Sequence, residues 1–377
     1  MEKTWVQNSM DPNERQFVLK KFSAYYSNAN IQIPSINQRE FGFGNIKKID
    51  ARHLSFGSAE AFRTYLVTNT PLFVSHSAAY YERPDATPME RKGILGADLI
   101  FDLDLHAEGK YGVYAMLGKV KDDAIRLMED FIVSDFGISK KEIILVFSGN
   151  RGYHIHVRDT DYLGLGSEER RELAEYANGI GLNYLNFFDV SGPKRALRII
   201  GPKESDSGYR GRFAKAVIRA INEKTQTFSR KFSNIEERER FTNGIKEGNW
   251  SKTSVSDILE RLKPIAEQLP IRSIGVDTSV TQDIARLIRV PNSIHGETGL
   301  VAKIVPLANI DSFNPLDDAL AFGTGANSIL AIEFNEDVPQ LNFAKSSVGP
   351  FKKGEKKELP ESISLFFVLK GSAKVIL

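Results

Sequence analysis

The sequence predicts an α+β fold in which residues 1–166 and 270–377 form one core and residues 167–269 form a mostly helical insertion. Three observations predict it. Short apolar, β-branched runs bounded by Gly, Asn and Pro mark strands in the first segment. From Ser167 the spacing of apolar residues becomes helical. A strand-and-turn pattern returns at Ser273–Val305.

Taken in order, residues 1–30 carry helical spacing around Phe17, Val18, Phe22 and Tyr26, followed by a polar stretch from Ser27 to Asn37. Arg39 to Val74 reads as short strand-like runs alternating with turns, closing with Tyr65–Val67 and Leu72–Val74 on either side of a TNTP turn. ADLIFDLDL at 97–105 reads as a strand, Lys121–Val133 as a helix, and EIILVF-SGNRG-YHIHV at 142–157 as a hairpin. Ser167 is the expected N-cap of EERRELAEYANGIG, with two Glu in the first turn. Ser233 and Glu236 have capping-box spacing, and Ile258–Leu269 is a helical pattern interrupted at Pro264. The lysine-rich run Lys352, Lys353, Lys356 and Lys357 reads as a solvated linker, with a helical or mixed segment after Pro360.

At 377 residues the chain can bury a large core as two or three domains, or as one domain with a large insertion. It has no apolar run long enough for a transmembrane helix, and its first residues lack the apolar centre of a signal peptide. Cysteine is absent, which excludes disulfides and thiolate metal sites and fits a reducing cytoplasm. The net charge is only +2, so binding of a polyanion depends on locally gathered cations.

Three constellations carry chemistry. Alternation along a strand puts Asp102 and Asp104 on one face and Phe101, Leu103 and Leu105 on the other. Two such carboxylates repel each other, and a hard divalent cation relieves the repulsion. Asp98 has the same parity but is read as solvated at the strand entrance. In SGNRGYHIHV, Ser148, Arg151, His154 and exposed turn amides suit a polyphosphate, and Gly149 and Gly152 permit close approach. In VDTSVTQDIARLIRVPNSIHGETGL, Asp277 offers a third carboxylate. It is preferred to Asp283, which falls where a helical turn carrying Arg286 and Arg289 on one face is expected to start. His295 follows in a Gly-containing loop suited to phosphate.

Together, FDLDL, SGNRGYHIHV and RLIRVPNSIHGETGL resemble the three core motifs of the archaeal/eukaryotic DNA primase small (catalytic) subunit family. QREFGF, AAYYERP and ELPESISLFFVLKGSAKVI resemble further family segments. The resemblance implies a primase-type catalytic core of two facing β-sheets, related to the RNA-recognition fold, with a helical subdomain. It implies that Asp102, Asp104 and Asp277 hold two Mg²⁺ or Mn²⁺ ions, and that Ser148, Arg151 and His154 hold the incoming triphosphate. Arg289 stands at the family's basic phosphate ligand and His295 at a nucleotide-contacting His. Glu40, Arg52, Tyr80, Arg83 and Arg286 are further candidates. The implied partners are a single-stranded DNA template, nucleoside triphosphates and a large subunit, with no membrane, in an archaeal, nucleoid-associated setting. The family's zinc knuckle has no counterpart: between Asp104 and Ser148 the only His is His106, and without Cys a structural zinc is not expected. The implied reaction is template-directed, two-metal nucleotidyl transfer that makes short primers. A primase-polymerase or end-joining polymerase of the same superfamily, and a non-catalytic nucleotide- or RNA-binding module, are the rival readings.

Overall fold

The computed structural model describes residues 10–193, 196–223, 229–255, 257–271, 275–325 and 328–377. Residues 1–9, at the start of the first expected helix, and Arg272–Ile274, at the start of the expected strand-and-turn segment, lie outside the described residues.

Helix α1 (Pro12–Asn28) starts where Asp11 accepts from the Asn13 amide at 2.8 Å and Pro12 pre-sets the first turn. It buries Val18, Phe22 and Tyr26, four residues apart. Strands β1 (Phe41–Gly44) and β2 (Ala51–Leu54) precede helix α2 (Ala59–Asn69), whose N-cap is Ser58. Tyr65–Val67, expected as a strand-like run, is therefore the last turn of a helix. The spacing of Phe62, Tyr65 and Leu66 presents one apolar stripe, and Phe62 and Tyr65 pack on Phe43. Strands β3 (Phe73–Ser77), β4 (Ala79–Tyr81), β5 (Ile94–Ala97) and β6 (Leu99–Asp104) follow. Helix α3 (Leu117–Arg126) continues as a π-helical stretch through Val133 and leads to β7 (Ile143–Phe147) and β8 (Gly152–Val157).

Contacts divide the chain into two compact units: residues 1–124, 139–174 and 276–377, and residues 125–138 and 175–275. The second unit holds helices α5 (Gly208–Glu223) and α6 (Ile235–Glu247), with α4 (Ser167–Ala177) ending in it. It also holds a short hairpin of β9 (Asp189–Ser191) and β10 (Arg198–Ile200). Buried Phe213 and Trp250 stack on each other, and the indole donates to the Pro202 carbonyl at 2.9 Å. Two helix starts differ from expectation. Ser167 is itself the first helical residue of α4. For α6 the cap is Asn234, not Ser233, which ends a preceding 3₁₀ turn; the Asn234 side chain accepts from the Glu237 amide. Ile258–Leu269 breaks into α7 (Ile258–Arg261) and α8 (Lys263–Ala266), with Pro264 in the first turn of the second.

In the first unit, α9 (Thr278–Gln282) leads into β11 (Leu287–Arg289) and β12 (Ile304–Val305). The RLIR run is thus a strand, not the expected helical turn, because β3 offers it an edge: Leu287, Ile288 and Arg289 pair with Ser77, His76 and Ser75. Two antiparallel four-stranded sheets result, β11-β3-β1-β2 and β12-β7-β8-β6. They meet through buried Ile288 and Ile100, which cluster with Ala78 and Val280, and through His76 and His156, whose rings lie 6.2 Å apart. The lysine run is not a linker. Lys356 and Lys357 lie in β16 (Lys356–Pro360), after β13 (Ile329–Phe334), β14 (Leu341–Phe343) and β15 (Ser346–Val348). Strand β16 pairs with β13, which also pairs with β17 (Ala373–Val375). Before β17 runs a helix, Glu361–Leu369, with all but its first residue buried. No helix among the described residues is long and apolar enough to cross a membrane.

Candidate active site

Strand β6 alternates as its sequence requires: Phe101 and Leu103 are buried, as is Leu105 just after it, while Asp102 and Asp104 are partly exposed on the other face. Antiparallel pairing with β8 sets His154 opposite Asp102 and Gly152 opposite Asp104. The His154 Nε2 lies 3.6 Å from Asp102 Oδ1. Position 152 requires glycine, because a Cβ there falls 2.2 Å from the Leu103 carbonyl oxygen and 3.0 Å from Asp104 Cα.

Asp277 joins this pair through its backbone. Its N–H donates to the Asp102 carbonyl at 2.9 Å. Its carboxylate is the N-cap of α9, where Oδ1 accepts from the Ser279 amide at 2.9 Å, the Ser279 hydroxyl at 2.6 Å and the Val280 amide at 3.3 Å. The capping role expected of Asp283 thus belongs to Asp277. Asp283 follows the helix and accepts from the Ala285 amide. Burial first, then Asp104 and Asp277, push the Asp102 carboxyl up to about 7, against Arg286 and Arg151, which lower it. Asp102 Oδ1 is buried without a hydrogen-bond partner. Asp104 is paired with Arg151, Nε to Oδ2 at 2.8 Å. Among the described residues no three His, Asp or Glu side chains are already gathered at metal-coordinating spacing.

The SGNRG turn is tied more tightly than its sequence suggests. The Ser148 hydroxyl oxygen accepts from the Gly152 amide at 3.1 Å and the Asn150 amide at 3.4 Å, so these two amides, expected to be open to a ligand, are already engaged. The turn packs on the His295 loop. Thr298 donates its hydroxyl to the Gly149 carbonyl at 2.6 Å, and a Cβ on Gly149, whose φ is +83°, meets His295 Cβ at 2.9 Å.

Around His295 the charge is one-sided. Burial holds this ring well below its usual pKa, and Arg289, Lys370, Lys48 and Arg151 depress it further. Burial, then Arg289 and Arg286, bring His154 down to about 3. The Arg289 guanidinium, lowered to about 10 by burial, lies 5.4 Å over Phe73, which packs edge-on against His295. Arg289 Nη1, Arg286 Nε and His154 Nδ1 are buried without hydrogen-bond partners.

The family model described as DNA primase small subunit matches residues 101–307, a span that contains all three constellations. The DNA primase small subunit PriS of Archaeoglobus fulgidus is 34% identical to this chain over 95% of it and 97% of the relative. The chain belongs to the DNA primase small subunit family. The PriS proteins of Methanosarcina mazei and Methanococcoides burtonii are 36% and 33% identical, covering 83% and 97% of this chain and 86% and 99% of their own lengths.

In this primase small subunit the earlier candidates form a separate group. Buried Glu40 accepts from Arg52 Nε at 2.8 Å and the His53 amide at 3.2 Å, with Lys92 Nζ 3.5 Å from its other oxygen. Tyr80 donates to Asp98 at 2.7 Å and stacks under Arg39, while Arg83 is exposed. Among the described residues no hydrogen bond or ion pair links Glu40, Arg52, Tyr80 or Arg83 to Asp102, Asp104 or Asp277. Asp98 is not solvated. It is fully buried and accepts from Arg39 Nη2 at 2.7 Å, Tyr80 and Arg158 Nε at 3.4 Å. Its parity with Asp102 is the one local signal at this position. Arg158 and His76, by contrast, lie in no motif, whereas Arg39 and Lys370 fall within QREFGF and ELPESISLFFVLKGSAKVI but have no spacing pattern that singles them out.

Proposed function

We propose that this primase small subunit joins nucleotides on a single-stranded DNA template at Asp102, Asp104 and Asp277. One observation carries the reading: a buried, unpartnered carboxylate oxygen on Asp102, crowded by two further carboxylates, beside arginine and histidine nitrogens that also lack partners. The acids call for cations and the bases call for an anion, and a metal–nucleoside triphosphate supplies both.

The donor set is all hard oxygen, which suits Mg²⁺ or Mn²⁺ and not a thiolate metal such as structural zinc. The chemistry supplied by two such ions, when bound, is a lowered pKa at the attacking 3′-hydroxyl and neutralisation of the departing pyrophosphate. Asp102, Asp104 and Asp277 are the residues that would hold them. Asp104 would then leave Arg151, whose planar fork becomes available for phosphate. His154 and His295, neutral at working pH, donate ring N–H groups, while Arg289 and Arg286 balance charge on the phosphates. The new bond joins the 3′-oxygen to the α-phosphorus, the α–β bridging bond breaks, and the hydroxyl proton passes to solvent. Ser148 acts by shaping the turn that carries Arg151.

The two four-stranded sheets are read as the facing sheets of a primase-type core related to the RNA-recognition fold, spanning 1–166 and 270–377, with 167–269 as its helical insertion. A large subunit is the expected partner, as the family name implies, and the setting is the archaeal cytoplasm beside the nucleoid. Dinucleotide synthesis on single-stranded DNA is the test. An Asp102→Ala/Asp104→Ala variant is expected to lose it, and undiminished synthesis would rule the assignment out.

A further inference from the structure

One cation beside the cradle comes from outside the residues that the family model matches. Lys370 follows the buried helix 361–369 and is partly buried. Its Nζ lies 5.1 Å over the Tyr114 ring and 3.4 Å from Asn150 Oδ1. Asn150 is the central residue of the SGNRG turn; it also accepts from the Tyr114 hydroxyl at 3.1 Å and reaches Glu297 at 3.5 Å. Among the described residues no carboxylate lies within ion-pair distance of Lys370. Glu297 favours its charge only through space, and Arg151 and Lys110 oppose it. A desolvated ammonium held by one ring face and one long hydrogen bond, with no acid in contact, gains little for the stability of the fold. A dianionic or trianionic group entering beside Arg151 and His295 is what would make its position favourable.

We infer that Lys370 is a direct ligand of the nucleotide's phosphates, closing the cradle from the C-terminal helix opposite Arg151. This deepens the reading of the site as a metal–triphosphate site and rests on it. Burial holds the Lys370 ammonium at about 8, so near pH 7 it remains mostly protonated.

The test measures the affinities of ATP, ADP and AMP with Mg²⁺ for the whole chain and for Lys370→Met, Lys370→Arg and Arg151→Ala. Lys370→Met is expected to weaken ATP about tenfold or more, the worth of one charge-assisted hydrogen bond. It should weaken AMP by less than twofold and leave the melting temperature unchanged or higher, while Lys370→Arg retains most of the affinity. A residue that only orients Asn150 would lower all three affinities equally, and that result overturns the inference. So does an ATP affinity within twofold of the parent when Arg151→Ala has lost it. If neither variant changes ATP binding, the reading of the cradle itself falls. Should Lys370→Met fail to fold, acetylation of the unaltered chain decides. ATP with Mg²⁺ should slow labelling of Lys370 at least about fivefold where AMP does not, and equal labelling refutes the contact.

Discussion

If Asp102 meets the metal as proposed, its raised pKa makes metal binding a proton-release reaction, with a magnitude that can be worked out. Burial and two neighbouring carboxylates hold this group at about 7 against an ordinary value of 3.8. The metal-free carboxyl therefore carries a proton below that pH, and a divalent cation must displace it. Proton release on Mn²⁺ binding should be about 0.9 per site at pH 6, about 0.5 at pH 7 and about 0.1 at pH 8. The sign follows: affinity is full above the folded pKa and falls as pH drops through it. Between pH 8 and pH 6 the loss is about tenfold, or about 1.4 kcal/mol. Calorimetric titration of the intact chain in buffers of different ionisation enthalpy reads the proton count directly. Arg286 lowers this pKa, so Arg286→Gln should move the midpoint of proton release above that of the parent. Release near zero at pH 6, or an Mn²⁺ affinity independent of pH, would show that Asp102 is not the group that meets the metal.

Four further outcomes follow from named contacts. Arg151→Ala should raise the nucleotide KM about tenfold with a smaller effect on kcat, since it removes binding and not the carboxylates; steady-state kinetics on single-stranded template measure both. Gly152→Ala puts a methyl on the Leu103 carbonyl and should cost about 3 kcal/mol in denaturant unfolding. Asp98→Asn leaves Arg39 buried without its counter-charge, and a loss of about 3–5 kcal/mol is expected by the same measurement. His156 is fully buried, both its nitrogens lack partners, and burial holds its pKa well below 6.5. The stability it allows is complete above about pH 6.5 and is lost as pH falls below it. His156→Leu should therefore flatten the pH dependence of unfolding by about 1.4 kcal/mol per unit between pH 6 and pH 5.

What the sequence revealed depended on whether the deciding interaction was local. The alternation around Asp102 and Asp104, and the hairpin around SGNRG, need only strand parity and turn glycines, and both are legible. Tyr65–Val67 is set locally too, because Ser58 caps a run with helical spacing, although two apolar runs either side of TNTP also fit strands. Asp277 belongs to the same class, since Asp-Thr-Ser is an ordinary helix start. The RLIR run was not legible. Its three-residue Arg spacing fits a helix, and only the edge of β3, more than two hundred positions earlier, makes it a strand. Asp98 likewise looks like a solvated strand entrance until residues 39, 80 and 158 arrive to bury it.

The missing cysteines lead to the same place as Lys370. Without thiolates, the connection from Leu105 into α3 is held by packing. Tyr111, Val113, Tyr114 and Leu117 are buried. The rings of Tyr111 and Tyr114 pack on Phe366 of the C-terminal helix at 6.3 and 5.1 Å, and Tyr111 donates to Ser372 Oγ at 2.5 Å. Lys110 pairs with Glu336 at 2.6 Å. This aromatic seam ties the connection after the Asp102–Asp104 strand to a helix near the end of the chain. The Tyr114 ring that completes the seam is the one under Lys370, and its hydroxyl is bonded to Asn150. On the proposed reading, the packing that secures a segment lacking a metal staple therefore also sets where Lys370 meets the phosphates.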